Sequence, residues 1–140
     1  MKHFLLILLC LHSFPSFATE KNKETCLEQG KVRYRSFGKI IIENSSYCFN
    51  EDRNRLISKN CRDQHNKCLA LTQKRIKEDN KNLISQFGSP GFKLCYSYKG
   101  KPQLLEFTDG KEWFPLDRCS FEKDNSYINT GWFYKIMMSK

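Results

Sequence analysis

Three residues that could support metal binding or acid–base chemistry lie within one eight-residue segment: Cys61, His65 and Cys68. Cysteine and histidine side chains are common zinc ligands, and an imidazole can act as a general base near neutral pH. His65 would be the only histidine left after removal of an N-terminal leader, which excludes any site that needs two imidazoles. Because the cysteines are better explained by disulfides in an exported chain, we predict no metal and no cofactor. His65 is then the one catalytic candidate.

The segment from Cys61 to Cys68 resembles the histidine signature of the secreted phospholipases A2. In that family a helical histidine flanked by disulfide cysteines activates water, and an adjacent aspartate holds calcium. The resemblance implies a small secreted hydrolase that uses His65. This chain departs from the signature at Asn66, which replaces the calcium-binding carboxylate, and at Arg62, which replaces a paired cysteine. Without a bound hard cation an ester carbonyl would lack its polarising group. We therefore predict hydrolysis only as the alternative function of this chain.

The N-terminal segment has the layout of a secretion signal. Lys2 precedes an apolar run over residues 4–11, and small residues follow at Ser16 and Ala18, as signal peptidases require. We predict that residues 1–18 are removed, that residues 19–140 form a single domain, and that no segment crosses a membrane. An even set of cysteines in such a chain indicates three disulfides and a secreted or periplasmic location. The set is Cys26, Cys48, Cys61, Cys68, Cys95 and Cys119.

Basic residues outnumber acidic residues, and the net charge of +9 becomes +8 once Lys2 is removed. A surface of that sign attracts anionic partners. The candidate binding residues on the predicted elements are Lys31, Arg33, Arg35, Lys39, Lys74 and Arg75. We predict as partner an anionic envelope polymer, a glycan or a secreted protein, without specific recognition of nucleic acid. The leading functional prediction is therefore a non-enzymatic binding, envelope or inhibitor-type protein.

The patterning of the chain predicts the elements that carry these residues. Residues 31–49 contain residue types and alternation typical of β-strands, and turn residues occur at Gly38 and at residues 44–46. This segment therefore predicts two or three antiparallel strands. Residues 50–87 contain no glycine or proline and predict one long helix, which the polar run 77–82 would bend or divide. Later strand-like runs cover residues 92–98, 103–107, 111–114, 118–121 and 127–137. The predicted fold class is α+β, with an antiparallel sheet packed against the long helix and stabilised by disulfides.

A continuous helix would restrict the disulfide pairing. Seven residues of helix separate Cys61 from Cys68 by about 10 Å, whereas a disulfide needs Cα atoms within about 7 Å. We therefore predict that these two cysteines do not bond to each other. The simplest remaining arrangement joins Cys95 to Cys119 between neighbouring strands, while Cys26 and Cys48 join the N-terminal strands to the helix.

Residues 88–135 resemble a family of small exported bacterial domains labelled as haemolysins, whose biochemical activity is not established. The resemblance rests on Pro90 five residues before Cys95, on Gly100, on Cys119 followed by Phe121, and on the final Trp132-Phe133-Tyr134 segment. It implies a compact β unit of the bacterial envelope or medium. The chain departs from the family pattern at Lys99, where a second glycine is usual, and at Asn125 in the turn.

Overall fold

The computed structural model describes residues 23–75 and 89–139. The predicted leader (residues 1–18) and the polar run 77–82 lie outside the described residues, as does the end of the predicted long helix. The described strands are β1 (Glu24–Ser36), β2 (Lys39–Asn50), β3 (Leu56–Ser58), β4 (Lys101–Thr108), β5 (Trp113–Phe121) and β6 (Ser126–Ile128). The described helices are α1 (Lys59–Asp63), a 3₁₀ turn (His65–Lys67), α2 (Leu69–Thr72), α3 (Pro90–Ser97) and α4 (Thr130–Met138).

The six strands form a closed antiparallel barrel in the order β1-β2-β3-β6-β5-β4. Pairing of Val32 with Phe107 and of Arg33 with Glu106 joins β1 to β4 and closes it. Strands β1 and β2 form a long hairpin, and its turn residues Phe37 and Gly38 have φ angles of 48° and 77°. Positive φ at both central residues is what a tight turn between twisted strands requires. The predicted hairpin is confirmed.

Two apolar layers hold the fold together. The barrel interior is filled by buried side chains from alternate strand positions, including Val32, Tyr47 and Phe107. A second layer lies between the barrel wall and the helices, and it contains Leu94 of α3 and Phe133 of α4. Since closure leaves no long unpaired edge, the barrel is a rigid support for the hairpin and the helices. Within residues 23–75 and 89–139, no helix has the length and apolar character needed to cross a bilayer.

The prediction of a disulfide-stabilised fold with antiparallel strands is confirmed, but the single long helix is wrong. Residues 56–58 form β3, which pairs with both β2 and β6. The helical segments that follow are short, and α1 ends at Asp63, because the backbone at Gln64 turns to φ −130° and ψ 60°. Pairing with two strands outweighs the helical propensity of these residues, because intrinsic propensity is weak and tertiary contacts commonly override it.

Four further predictions are wrong, three of them in the C-terminal half. Residues 92–97 of the predicted strand 92–98 are helical, since the Ser89 hydroxyl accepts a hydrogen bond from the backbone of Phe92 and Pro90 is in the first turn of α3, a favoured helix start. Residues 130–138 form α4 rather than a strand. Strand β5 continues through Pro115 without a break, and the predicted turn at residues 44–46 lies inside β2. The strand predicted over residues 103–107 is confirmed.

The three disulfides are Cys26–Cys48, Cys61–Cys68 and Cys95–Cys119. Cys95–Cys119 is confirmed, although it joins α3 to β5 rather than two strands. The prediction that Cys61 and Cys68 do not pair is wrong, because the chain leaves the helix between them and their Cα atoms lie 4.9 Å apart. Cys26 and Cys48 are directly opposite on β1 and β2, so they tie the hairpin together and do not reach a helix.

Gly30 of β1 makes room for the buried ring of Tyr47. A Cβ atom at Gly30 would lie 2.4 Å from the Cε1 and Cζ atoms of that ring. The Tyr47 hydroxyl is 2.6 Å from the Thr108 carbonyl oxygen and 3.0 Å from that of Lys31, so the ring is held from its far end. We expect Gly30→Ala to lower the free energy of unfolding by about 1–3 kcal/mol through overpacking, measured by urea unfolding with disulfides intact.

The control for this prediction is Gly131→Ala in α4. A Cβ atom there meets only the Asn129 side-chain nitrogen at 3.6 Å, an ordinary contact, and alanine favours a helix over glycine by about 1 kcal/mol. Gly131→Ala should leave stability unchanged or raise it. A Gly30→Ala protein as stable as the Gly131→Ala protein would contradict the proposed close approach.

Candidate functional site

The outer side of the β1–β2 hairpin combines cationic and exposed apolar side chains. We call this surface the hairpin face. It consists of Arg33, Arg35, Ile40 and Ile42 on the outer side of the strands and of Phe37 and Lys39 at the turn, where Lys39 pairs with Ser36. Phe37 at the turn is fully exposed, and the side chains of Ile40 and Ile42 are 61% and 59% exposed. Exposed single apolar residues are ordinary, whereas a group of them next to cations is typical of an interaction surface.

The alternation of the strands explains why these residues point outward. Val32 is fully buried inside the barrel, so its neighbours Arg33 and, two positions on, Arg35 lie on the opposite side of β1. Arg33 pairs with Ile42 and Arg35 pairs with Ile40 across the hairpin, and directly paired residues share a face. The isoleucines are therefore presented to solvent together with the arginines.

The cations of the hairpin face differ in whether a carboxylate of the protein already pairs with them. The Arg33 Nε atom lies 2.5 Å from the Glu106 carboxylate on β4, and its guanidinium lies 4.4 Å from the centre of the Trp113 ring. The hydrogen bond from Arg33 lowers the pKa of Glu106 below its usual range, so the pair stays ionised. Among residues 23–75 and 89–139, no carboxylate pairs with Arg35 or Lys39. Those two cations remain available to a partner.

A shallow groove of about 210 Å³ extends the hairpin face onto β4. It is lined by Arg33, Arg35, Ile40 and Glu106 together with Leu104, whose side chain is 70% exposed. Leu104 alternates with the buried Leu105 and therefore points away from the barrel interior. The apolar surface thus continues beyond the hairpin rather than ending at the turn.

The structure separates the six predicted anion-binding residues into two groups. Lys31 is exposed further along β1, on the same strand as Arg33 and Arg35. Lys74 and Arg75 follow α2, and an Arg75 amino group donates to the Ile136 carbonyl oxygen at 3.3 Å, near the end of α4. Four of the candidates therefore belong to one hairpin, and the other two lie beside the last helix.

His65 lines a separate cleft of about 610 Å³ beside α4. It belongs to the 3₁₀ turn between the disulfide-bonded Cys61 and Cys68, so neither sulfur is free to bind a metal with it. The carboxylate among the residues that line this cleft is Glu24, which forms an ion pair of 2.5 Å with Arg62. No described residue forms a hydrogen bond with the imidazole. A catalytic pair is therefore not formed in the described part of the chain.

A second group of potential metal ligands consists of Glu24, Cys26 and Cys48, whose ligand atoms lie within 4.8 Å of one another. The two sulfurs are bonded to each other in a disulfide. Metals bind cysteine as the thiolate, which a disulfide does not provide. This group consequently offers a single carboxylate.

Two features of these sites were not predicted from the sequence. In the sequence, residues 40–42 resemble an ordinary buried strand. Their exposure depends on the register of the hairpin, which pairs Ile40 and Ile42 with outward-facing arginines of β1. Trp132 packs partly against the core, and its side chain also lines the cleft next to Arg55. The spacing of Trp132 and Ile136 on one helical face was the signal available in the sequence.

A scan against protein-family profiles, a search of curated proteins and a search of solved structures each found no match to this chain. The resemblances of residues 88–135 to the haemolysin-labelled domains and of residues 61–68 to the phospholipase signature therefore stay predictions.

Proposed function

We propose that this protein is an exported, non-enzymatic binding protein whose hairpin face attaches to an anionic lipid surface of the cell envelope. The observation that carries the proposal is the group of exposed side chains Phe37, Ile40 and Ile42 beside Arg35 and Lys39, two cations that pair with no carboxylate of residues 23–75 and 89–139. Three disulfides support the exported location, because such bonds form and persist in oxidising compartments. A secreted or periplasmic protein would meet such surfaces directly.

The apolar side chains favour a lipid surface over a purely hydrophilic polymer. A polysaccharide or polyphosphate would neutralise Arg35 and Lys39 but would leave Phe37 in water. A bilayer interface accommodates both groups, since the ring can enter the boundary between headgroups and acyl chains while the cations contact the headgroup phosphates. The hairpin is suited to this role because its turn projects the ring away from a closed, disulfide-tied barrel.

The expected contributions are large enough to measure. A lysine or arginine near an anionic membrane contributes about 1 kcal/mol, so removing two cations should weaken binding by roughly 30-fold. Transferring a phenylalanine side chain out of water contributes roughly 1.5–3 kcal/mol, so loss of Phe37 should weaken binding by at least about tenfold. Added salt should reduce the first contribution and leave the second largely unchanged.

The test is co-sedimentation with vesicles made of equal parts phosphatidylglycerol and phosphatidylcholine, compared with vesicles of phosphatidylcholine alone. We expect the wild-type protein to bind the anionic vesicles, and both Arg35→Gln/Lys39→Gln and Phe37→Ser/Ile40→Ser to lose most of that binding. The matched control is Lys67→Gln/Lys111→Gln, which removes two exposed charges from the 3₁₀ turn and from the β4–β5 connection. That control should bind like the wild type.

Two results would overturn the proposal. One is equal loss of binding in the control pair, which would mean that net charge alone is responsible. The other is binding to an acidic polysaccharide that persists after Phe37→Ser/Ile40→Ser, with no binding to the anionic vesicles. The hydrolase alternative has less support, because the His65 imidazole is exposed and Glu24, the carboxylate in its cleft, is paired with Arg62.

A further inference from the structure

The cleft that His65 lines has the size and composition of a small-molecule site. Its volume of about 610 Å³ lies within the range of roughly 300–1,000 Å³ that such sites occupy. Ile57, Leu71 and Ile136 supply apolar surface from three different elements. Trp132 precedes Ile136 by one helical turn of α4, so both side chains face the cleft together.

Arg55 supplies the cleft with a cation that is not used elsewhere in the described structure. Its guanidinium lies 5.6 Å from the centre of the Trp132 ring, close enough for a cation–π interaction. No carboxylate within residues 23–75 and 89–139 pairs with it, in contrast to Arg62, which is bound to Glu24. A guanidinium stacked on a ring keeps its N–H groups directed outward in the plane, where they can bind a carboxylate through two parallel hydrogen bonds.

Two buried asparagines fix the positions of Arg55 and Trp132 relative to each other. The Asn50 side-chain oxygen accepts hydrogen bonds from the backbone of Asn54 at 3.1 Å and of Arg55 at 2.8 Å. The Asn129 side-chain oxygen accepts from the Leu56 backbone at 3.2 Å, and the Asn129 backbone donates to the Leu56 carbonyl oxygen at 2.8 Å. Leu56, which follows Arg55, is thereby hydrogen-bonded to Asn129, which precedes α4.

This double connection holds the cation and the ring in place before any ligand arrives. A preorganised site binds more tightly, because less conformational freedom is lost on binding. The Cys61–Cys68 disulfide adds rigidity to the cleft, since Cys61 is one of its lining residues. The arrangement differs from the hairpin face, where the exposed residues surround a turn.

We infer that this cleft binds a small molecule that joins an apolar or aromatic body to a carboxylate, with the body packed against Trp132 and the carboxylate held by Arg55. The apolar walls favour a hydrophobic body, and the unpaired cation selects an anionic head. The site is independent of the hairpin face, so it can exist whether or not the protein attaches to a lipid surface.

Trp132 provides a direct reporter of occupancy. The chain has two tryptophans, and Trp113 contacts Arg33 on the outside of the barrel, so Trp113→Phe leaves Trp132 as the only indole. We choose 2-naphthoate as the probe and 2-naphthamide as its uncharged analogue of nearly the same shape. In the Trp113→Phe protein, 2-naphthoate should change the Trp132 emission and bind at least about tenfold more tightly than 2-naphthamide.

Arg55→Gln, introduced into the same protein, should weaken 2-naphthoate binding by about tenfold or more and leave 2-naphthamide binding unchanged. Arg55→Lys keeps the charge without the planar fork and should give an intermediate affinity, which provides a second test if Arg55→Gln does not fold. The control is Arg35→Gln, which removes one charge from the hairpin face and should leave 2-naphthoate binding unchanged. Equal affinity for the two probes, or full binding by both Arg55 variants, would overturn the inference.

Discussion

Replacement of Cys95 and Cys119 by alanine is expected to lower the free energy of unfolding by roughly 3–4 kcal/mol. The bridge closes a sequence separation of 24 residues, and a cross-link of that length removes considerable conformational freedom from the unfolded chain. It also joins α3 to β5 within the apolar layer between the barrel wall and the helices, where both cysteines are fully buried. Gly100 lies against both sulfur atoms, which shows how closely the chain packs around the bond.

The matched comparison is the pair Cys61→Ala/Cys68→Ala. These cysteines are equally buried, so the lost side-chain contacts are similar, but their sequence separation is only 7 residues. The shorter loop predicts a smaller loss of roughly 2–3 kcal/mol. Both double variants would be unfolded with urea beside the wild-type protein. A larger loss for Cys61→Ala/Cys68→Ala would contradict the loop-length argument.

The pairing of Cys61 with Cys68 shows where prediction from the sequence reached its limit. The absence of glycine and proline in residues 50–75 correctly indicates that helical turns are possible, but it does not reveal that Leu56–Ser58 pairs with strands on both sides. That pairing depends on β6, about 70 residues away in the sequence. Once β3 is formed, the helix can begin only at Lys59. The seven-residue interval from Cys61 to Cys68 is then not a continuous helix, because the helix is interrupted at Gln64.

The hairpin could be predicted more completely because its determinants are local. Alternating residues and the Phe37-Gly38 turn are adjacent in the chain, and they predict both strands and the face on which Arg33 and Arg35 lie together. The cleft could not be predicted, because Arg55 and Trp132 come from distant segments that are brought together by the pairing of β3 with β6 and by the hydrogen bonds between Leu56 and Asn129. Sites assembled by long-range hydrogen bonds leave little periodic signal in a sequence.

Arg118 provides the second large expected effect, since it is a charged residue inside the barrel. Its guanidinium lies 2.7 Å from the Glu43 carboxylate and donates from Nε to the Gln103 side-chain oxygen at 2.9 Å. The rings of Tyr34 and Tyr127 lie 5.6 and 5.1 Å from the guanidinium. Every buried side-chain polar atom in the described residues has a hydrogen-bond partner, so this group is satisfied as a unit. Removing Arg118 therefore takes one hydrogen-bond donor from Glu43 and one from Gln103.

We expect Arg118→Met to lower the free energy of unfolding by about 2 kcal/mol, because the substitution removes the hydrogen bonds of a buried guanidinium to Glu43 and Gln103. The chain contains its own control in the Arg33–Glu106 pair on the outside of the barrel. The side chain of Arg118 is 9% exposed and that of Arg33 is 33% exposed, whereas their carboxylate partners Glu43 and Glu106 are similarly exposed at 37% and 40%. The comparison therefore tests the burial of the arginine. Arg33→Met should cost less than about 1 kcal/mol.

A double variant separates loss of the pair from loss of packing. In the Arg118→Met protein, Glu43→Gln removes the isolated charge and should recover part of the lost stability, whereas in the wild-type protein the same change should destabilise by breaking the pair. Urea unfolding of the four proteins gives the coupling free energy between the two positions. A coupling near zero, or equal losses for Arg118→Met and Arg33→Met, would show that the interior arginine acts only by filling space. A clear coupling would establish that an ion pair specifies how the hairpin strand β2 and strand β5 meet inside the barrel.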